Sequence, residues 1–291
     1  MITIFEIMAP LLVIALVGYV YGSRVQPSMD ITNRLVMDVF VPALILHVML
    51  QEEFRVADYA GLVFSGVAIM LLSGVAAYAV AKHFGFEWRV FTPPAMFSNW
   101  ANLGLPLYVF ALGDAALNGG IMLVVAGNIL CFTLGIYIYS GRVSGMQILK
   151  TPVVIAVLLG LLADLLNLNA PRFISTPLEM LGQVAIPLML FSLGVRLTQV
   201  SLKDWTQGIV MAIFAPVVGV CLALTLIEFV PLDNLHEDML ILFGVLPPAV
   251  VNFMLAEQYD RQPDQVASMI MIGNLAALVS IPLVLYLFIL Q

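Results

Sequence analysis

Charge is scarce in this chain. Only 10% of its 291 residues are Asp, Glu, Lys or Arg, against roughly 25% in a soluble domain, too few to clothe a water-facing surface. Cationic charge is scarcest, with 11 Lys and Arg against 18 Asp and Glu and a formal net charge of -7. With no basic patch to neutralise phosphates, nucleic acid is excluded as a partner. Cysteine is nearly absent. Cys131 and Cys221 stand apart in apolar stretches with no CxxC and no Cys/His cluster, so no zinc, redox or other cofactor site is expected and both read as small core residues. No HExxH, GxSxG or adjacent Ser/Lys or Asp pair occurs, and the chain is not expected to be an enzyme. Ser-, Gly- and Pro-rich linkers are also missing. The opening MITIFEIMAPLLVIALVGYVYG lacks a positive n-region and a small-residue cleavage site, which predicts a retained span and not a signal peptide.

What is abundant is apolar. With 62% hydrophobic residues and a mean hydropathy of +1.07, the chain reads as an all-α integral membrane protein. At about 20 residues and 1.5 Å per residue for each crossing, ten spans are predicted at 2–22, 33–51, 57–81, 90–112, 115–139, 150–166, 177–196, 205–229, 237–257 and 265–290. Loops after odd-numbered spans and the adjoining helix ends carry Arg24, Arg34, Lys82, Arg89, Arg142, Lys150, Arg196, Lys203 and Arg261, whereas those after even spans carry only Arg55 and Arg172. The positive-inside rule therefore places odd loops in the cytoplasm and both termini outside the inner membrane.

The halves 1–145 and 146–291 read as two copies of one pattern. Pro10 to Gly18 matches Pro152 to Gly160, Pro42 matches Pro187, Gly127-Asn128 matches Gly273-Asn274, and TPPAMFSN (92–99) resembles LPPAVVNF (246–253) with Pro94 opposite Pro248. An odd number of crossings per copy inverts the second in the bilayer. Inverted five-helix repeats are the signature of secondary transporters.

Span four is interrupted by Ser98-Asn99-Trp100-Ala101-Asn102-Leu103-Gly104-Leu105-Pro106. Pro106 cannot donate a backbone hydrogen bond and Gly104 is conformationally loose, so a break is predicted there. Broken backbone at membrane depth is tolerated only where protein or a water-filled cavity receives it. Span nine carries a matching interruption, Pro247-Pro248 followed by Asn252. Two such segments entering from opposite sides would cross and offer helix N-termini, with about half a positive charge each, to one small volume suited to an anion. Ser98, Asn99, Asn102 and Asn252 are the candidate substrate-binding residues, and Gly104, Pro106, Pro247 and Pro248 the candidate crossover backbone. For the Asn residues the competing reading is helix-to-helix hydrogen bonding. Asn128 and Asn274, on spans five and ten, either line the site or brace the broken helices.

Ionisable groups inside a bilayer usually mark pathways. Asp38, about 8 Å into span two, reads either as a proton-coupling carboxylate or as an i,i+4 partner of Arg34. Glu257 stands in the same relation to Arg261. His47 reads as a packed histidine or a relay, and Gln183 joins these as a candidate for the coupling-ion shell. Every Lys and Arg lies near a loop, so recognition of an anion must come from dipoles and amides. No acidic pair marks the breaks, which argues against a cation exchanger.

The stretches NRLVMDVFVPALILHVM (33–49), SNWANLGLPL (98–107) and LPPAVVNFMLAEQY (246–259), with a Gly-Asn span ending in Ile281-Pro282, resemble the auxin efflux carrier family, which includes plant auxin carriers and bacterial permeases for malate or malonate. The likeness runs from about residue 8 to 290. It implies a scaffold of spans 1, 2, 6 and 7, a mobile unit of spans 3–5 and 8–10, and an organic anion carried by an elevator-type displacement. A homodimer through the scaffold helices and coupling to H+ or Na+ are further expectations. The chain departs from the plant pattern in its short 5–6 connection, roughly 140–149, and in Ser98 and Asn252, read here as the crossover positions that hold proline in plant members. These departures favour a small carboxylate over auxin. The alternatives are a sodium-coupled symporter like the distantly similar bile-acid carriers, and a receptor of the same fold that does not transport.

Overall fold

The computed structural model describes residues 2–50, 55–141, 152–166, 168, 170–196, 198 and 205–290. The 5–6 connection expected near 140–149 lies largely outside them, as do Arg142, Lys150 and Lys203. The described chain is helical almost throughout, and its only β pairing is a single bridge between Ser98 and Pro248. Among the described residues six helices are long and apolar enough to cross a membrane: Ile31–Met49, Val56–Phe84, Ala116–Ser140, Arg172–Val195, Trp205–Ile227 and Pro263–Ile289. Shorter apolar helices occupy Ala9–Val25, Trp100–Leu112 and Pro152–Leu165. Large apolar side chains stand outward along them, such as Val75 at 68% exposure and Ile213 at 62%, as lipid contact requires.

The helices pack in two groups. In one, Ile2–Val25 lies along Arg172–Arg196, and Val41–Met49 lies between Pro152–Leu165 and Arg172–Arg196. Glycine makes the first contact possible: a Cβ on Gly18 would strike the Phe191 carbonyl, and one on Gly194 the Ala15 carbonyl. With no hydrophobic drive between helices in lipid, such close backbone approach supplies the van der Waals contact that holds them. In the other group Trp205–Ile227 packs on Asn234–Val245 and Pro263–Val284, Ala60–Phe84 packs on Trp88–Met96 and Ala116–Leu130, and Trp205–Ile227 meets Ala60–Phe84. Leu105, Ile121 and Val125 of the second group are buried with Leu44, Val48 and Val153 of the first, so the groups share one apolar seam.

Two helices are interrupted. Trp88–Met96 is followed by an extended stretch at 97–99 and then by Trp100–Leu112. Asn234–Val245 is followed by 246–250 and then by Val251–Gln258. The first break falls about two turns earlier than Gly104 and Pro106 predicted. Residues Trp100–Gly104 form a π-turn that runs on into α-helix Leu105–Leu112, whose second residue is Pro106, so the residue without an N–H falls where the π-turn gives way to the α-helix. Gly104 takes ordinary helical angles, φ -64 and ψ -49.

The tightest contact within the second group lies behind the other break, where Gly219 and Gly244 meet backbone to backbone. A leucine at 219 forces these helices apart, at about 1–3 kcal/mol for overpacking. Detergent-solubilised Gly219→Leu should unfold at a lower temperature than wild type, whereas Val217→Leu, at an outward position 55% exposed, should leave the midpoint unchanged.

Candidate functional site

The two interruptions meet. Asn99 N donates to Pro247 O at 2.7 Å and Ala249 N donates to Phe97 O at 3.0 Å, so Phe97-Ser98-Asn99 and Pro247-Pro248-Ala249 form a two-bond antiparallel ladder. Ser98 and Pro248 are its non-hydrogen-bonded pair, a position that asks no N–H of Pro248. Pro247 contributes only its carbonyl. Proline therefore breaks the second helix without leaving an unpaired donor in the ladder.

The residue that faces Pro248 in space is not the one matched to it in the sequence repeat. Ser98, not Pro94, stands opposite Pro248. Pro93-Pro94 lie inside helix Trp88–Met96, whereas Pro247-Pro248 are the crossover strand itself. The crossover pair is accordingly Ser98 and Pro248, and Asn252 sits four residues further on, within helix Val251–Gln258.

Both helices that follow the breaks begin here, and Trp100 and Phe97 wall the junction. The Trp100 ring stacks on Phe243 at 6.2 Å and 9°, and meets Phe97 edge-on at 6.1 Å. Each Gly-Asn pair seats one side of the crossover. A Cβ on Gly127 would come within 2.6 Å of the Trp100 indole, and one on Gly273 within 2.7 Å of the Pro248 ring.

A cavity of about 1160 Å³ ends on this junction. Ser98, Asn99, Asn102, Asn128 and Asn274 supply its polar floor, Trp100, Phe132, Phe253 and Met271 its apolar wall, and residues 26–29, Arg34, Asp38, Glu257 and Gln258 its approach. Of the candidate residues, Ser98, Asn102 and Asn128 are half-buried, while Asn99, Asn252 and Asn274 are buried. Asn252 does not line the cavity. Its Nδ2 donates to Phe97 O at 2.8 Å and Ala249 O at 2.9 Å, pinning the crossover from behind. Asn274 both lines and braces: its Nδ2 donates to Pro248 O at 3.1 Å and Ile270 O at 2.7 Å, and its Oδ1 faces Asn99 Nδ2 at 3.5 Å.

The ionisable candidates are spread out. Asp38 faces Arg34 at 3.7 Å in an exposed i,i+4 pair on the cavity approach. Arg261 does not turn to Glu257; its Nε donates to Tyr139 O at 3.0 Å, capping the helix of the fifth predicted span, and Glu257 remains exposed on the cavity wall. Gln183 is exposed and donates to Glu179 at 3.2 Å, and His47 is half-buried. Neither reaches the cavity. The π-turn at Trp100–Gly104 had no direct signal beyond Pro106, and the ladder had none, because nothing in either segment names its partner.

Residues 3–149 and 141–285 match the family described as membrane transport protein, and the chain belongs to that family. The motif resemblance and the family match agree. The chain is 26% identical over 298 residues to an uncharacterized transporter of Methanocaldococcus jannaschii and 28% identical over 301 residues to an uncharacterized transporter of Methanothermobacter thermautotrophicus, covering 96% of each chain in both comparisons. With several apolar helices of membrane-crossing length, it is a multi-pass membrane transporter and not an enzyme.

Removing the Asn252 amide takes the second donor from Phe97 O and Ala249 O, which keep Ala249 N and Asn252 N, a loss of about 0.5–1.5 kcal/mol per hydrogen bond. Thermal unfolding in detergent should show Asn252→Ala clearly destabilised. Asn102→Ala, where a half-buried side chain has no hydrogen-bond partner among the described residues, should stay within about 0.5 kcal/mol of wild type.

Proposed function

We propose that the protein is a secondary carrier for a small organic anion, working by alternating access around the crossover. The observation that carries this reading is the cavity ending on two helix N-termini joined by the ladder of residues 97–99 and 247–249. First-turn N–H groups such as those of Ala101 and Val251 have no intrahelical acceptor, and they carry the positive ends of both helix dipoles. Asn99 and Asn102 add amide donors and Ser98 a hydroxyl, while Asn252 holds the crossover that presents them. No Lys or Arg stands among the polar floor residues, so the anion is bound by neutral donors. This suits reversible loading and release better than a bidentate cation would.

In this reading the chain crosses the inner membrane ten times as two inverted five-helix repeats, 1–145 and 146–291, with the fourth and ninth crossings broken. Spans 1, 2, 6 and 7 form the fixed scaffold through which two copies pair, and spans 3–5 and 8–10 move as an elevator. The segregation of packing into two groups supports that division. The cavity approach is built from residues 26–38 and 257–258, next to the cation-rich loops, and corresponds to a state open to the cytoplasm with both termini outside. Asp38, on that approach, is the candidate for proton coupling.

Counterflow of labelled malonate, malate, succinate and indole-3-acetate through purified protein in liposomes tests the reading. At least one should exchange, without a requirement for sodium, and Asn99→Ala should raise its KM about tenfold, the equivalent of one lost hydrogen bond. Asp38→Asn should abolish accumulation driven by a pH gradient while leaving counterflow intact. Binding without counterflow would identify a receptor, and strict sodium dependence a symporter of the bile-acid type.

A further inference from the structure

The two crossover segments exchange one backbone hydrogen bond in each direction but differ in their amides. Taking Ser98 opposite Pro248 as the centre, Asn102 and Asn252 each lie four residues beyond it. Gly127-Asn128 and Gly273-Asn274 seat the two sides, one against Trp100 and the other against Pro248. Asn252 and Asn274 spend their Nδ2 groups on backbone carbonyls, Asn252 on Phe97 O and Ala249 O, Asn274 on Pro248 O and Ile270 O. Their counterparts do not. Asn102 and Asn128 line the cavity, half-buried, and neither side chain has a hydrogen-bond partner among the described residues.

The difference has a local cause. Asn252 bonds back to Ala249 O, and the corresponding acceptor for Asn102 is Asn99 O. The π-turn uses that oxygen already, for Leu103 N at 3.2 Å and Gly104 N at 2.9 Å. Pro106, which crowds the preceding turn and has no N–H, stands directly after this turn, and such π-bulges recur at functional sites. On the neighbouring helix the Trp100 ring fills the place against Gly127 that the smaller Pro248 ring fills against Gly273, so Asn128 does not close on the crossover backbone as Asn274 does.

Resting on the carrier reading above, we infer that Asn102 and Asn128 are the specificity-determining amides of the site, and that they select an acid bearing a hydrogen-bond donor, such as a hydroxyl, beside its carboxylate. A free carboxamide presents two N–H donors and one acceptor. Helix N-termini and the Nδ2 groups satisfy a carboxylate, but a carboxylate offers nothing to Oδ1 and repels it. A neighbouring hydroxyl donates to that oxygen and completes the set. An acid without one leaves the amide oxygen facing either water or negative charge, and sites built around a substrate hydroxyl reject the analogue lacking it.

Malate and succinate differ by one hydroxyl, as do lactate and propionate. In proteoliposomes the wild-type protein should exchange the hydroxylated member of at least one pair with kcat/KM about tenfold or more above its analogue, a modest figure against what buried polar sites achieve. Asn102→Leu or Asn128→Leu should collapse that ratio toward one by losing activity on the hydroxy acid while sparing the analogue. Pro106→Ala, which lets the π-turn relax, should lower the ratio by the same route. Asn252→Leu should depress exchange of both acids alike and keep the ratio. Equal exchange of both members by the wild type, or a ratio that survives both leucine variants with melting temperature preserved, overturns the inference and leaves the carrier reading standing. Failure of folded protein to exchange any of these acids, malonate or indole-3-acetate overturns the carrier reading and this inference with it.

Discussion

Two backbone hydrogen bonds, Asn99 N to Pro247 O and Ala249 N to Phe97 O, hold the centre of this molecule. In lipid each unpaired amide or carbonyl costs several kcal/mol, so two interrupted helices are untenable alone. Joined, they satisfy each other. The pairing needs no donor at position 247 or 248, and so a Pro-Pro sequence that would disrupt a helix is compatible with this ladder. The amide of Asn252 then adds a second donor to Phe97 O and that of Asn274 donates to Pro248 O, bracing the junction, while Asn252 Oδ1 stays buried without a hydrogen-bond partner among the described residues.

Much of this could be read from residue patterns, for identifiable reasons. Long apolar runs with polar ends gave boundaries within a few residues, as in 57–81 for Val56–Phe84 and 115–139 for Ala116–Ser140, because hydropathy is the dominant signal in a bilayer. That both breaks exist was legible from Pro and Asn at mid-span. Their positions were less so. Proline stops a helix only when its missing N–H and its ring have nowhere to go, and Pro93, Pro94 and Pro106 all sit within helical segments, while the extended residues 97–99 contain no proline at all. Matching Pro-Pro to Pro-Pro therefore did not name the residue that faces Pro248, which is Ser98, four residues after Pro94. The roles of the Asn residues depended on that alignment. Once Ser98 is the partner of Pro248, Asn252 moves from the cavity to the brace, and Asn128 becomes one of two amides left open to it.

The glycines were legible as letters but not as contacts. Gly127 and Gly273 each precede an Asn, and each is small because a ring from the crossover occupies the space a side chain would fill. The pair Gly-Asn is thus a single device: the first residue admits the broken strand and the second presents an amide at its level. The device is used twice and finished differently, since one ring is an indole and the other a pyrrolidine.

On the proposed reading, that difference bears on how a carrier of two related halves acquires a substrate. Strict symmetry would leave either both amide pairs locked, with a closed and featureless junction, or both free, with the crossover held by its two backbone hydrogen bonds alone. Neither arrangement can bind and stand at once. Assigning the structural hydrogen bonds to the second half and the open amides to the first satisfies both demands with the same residue type. The sequence change that separates them is small, a Trp at 100 opposite Gly127 and a Pro at 106 after a π-turn, and both lie on the half-helix Trp100–Leu112.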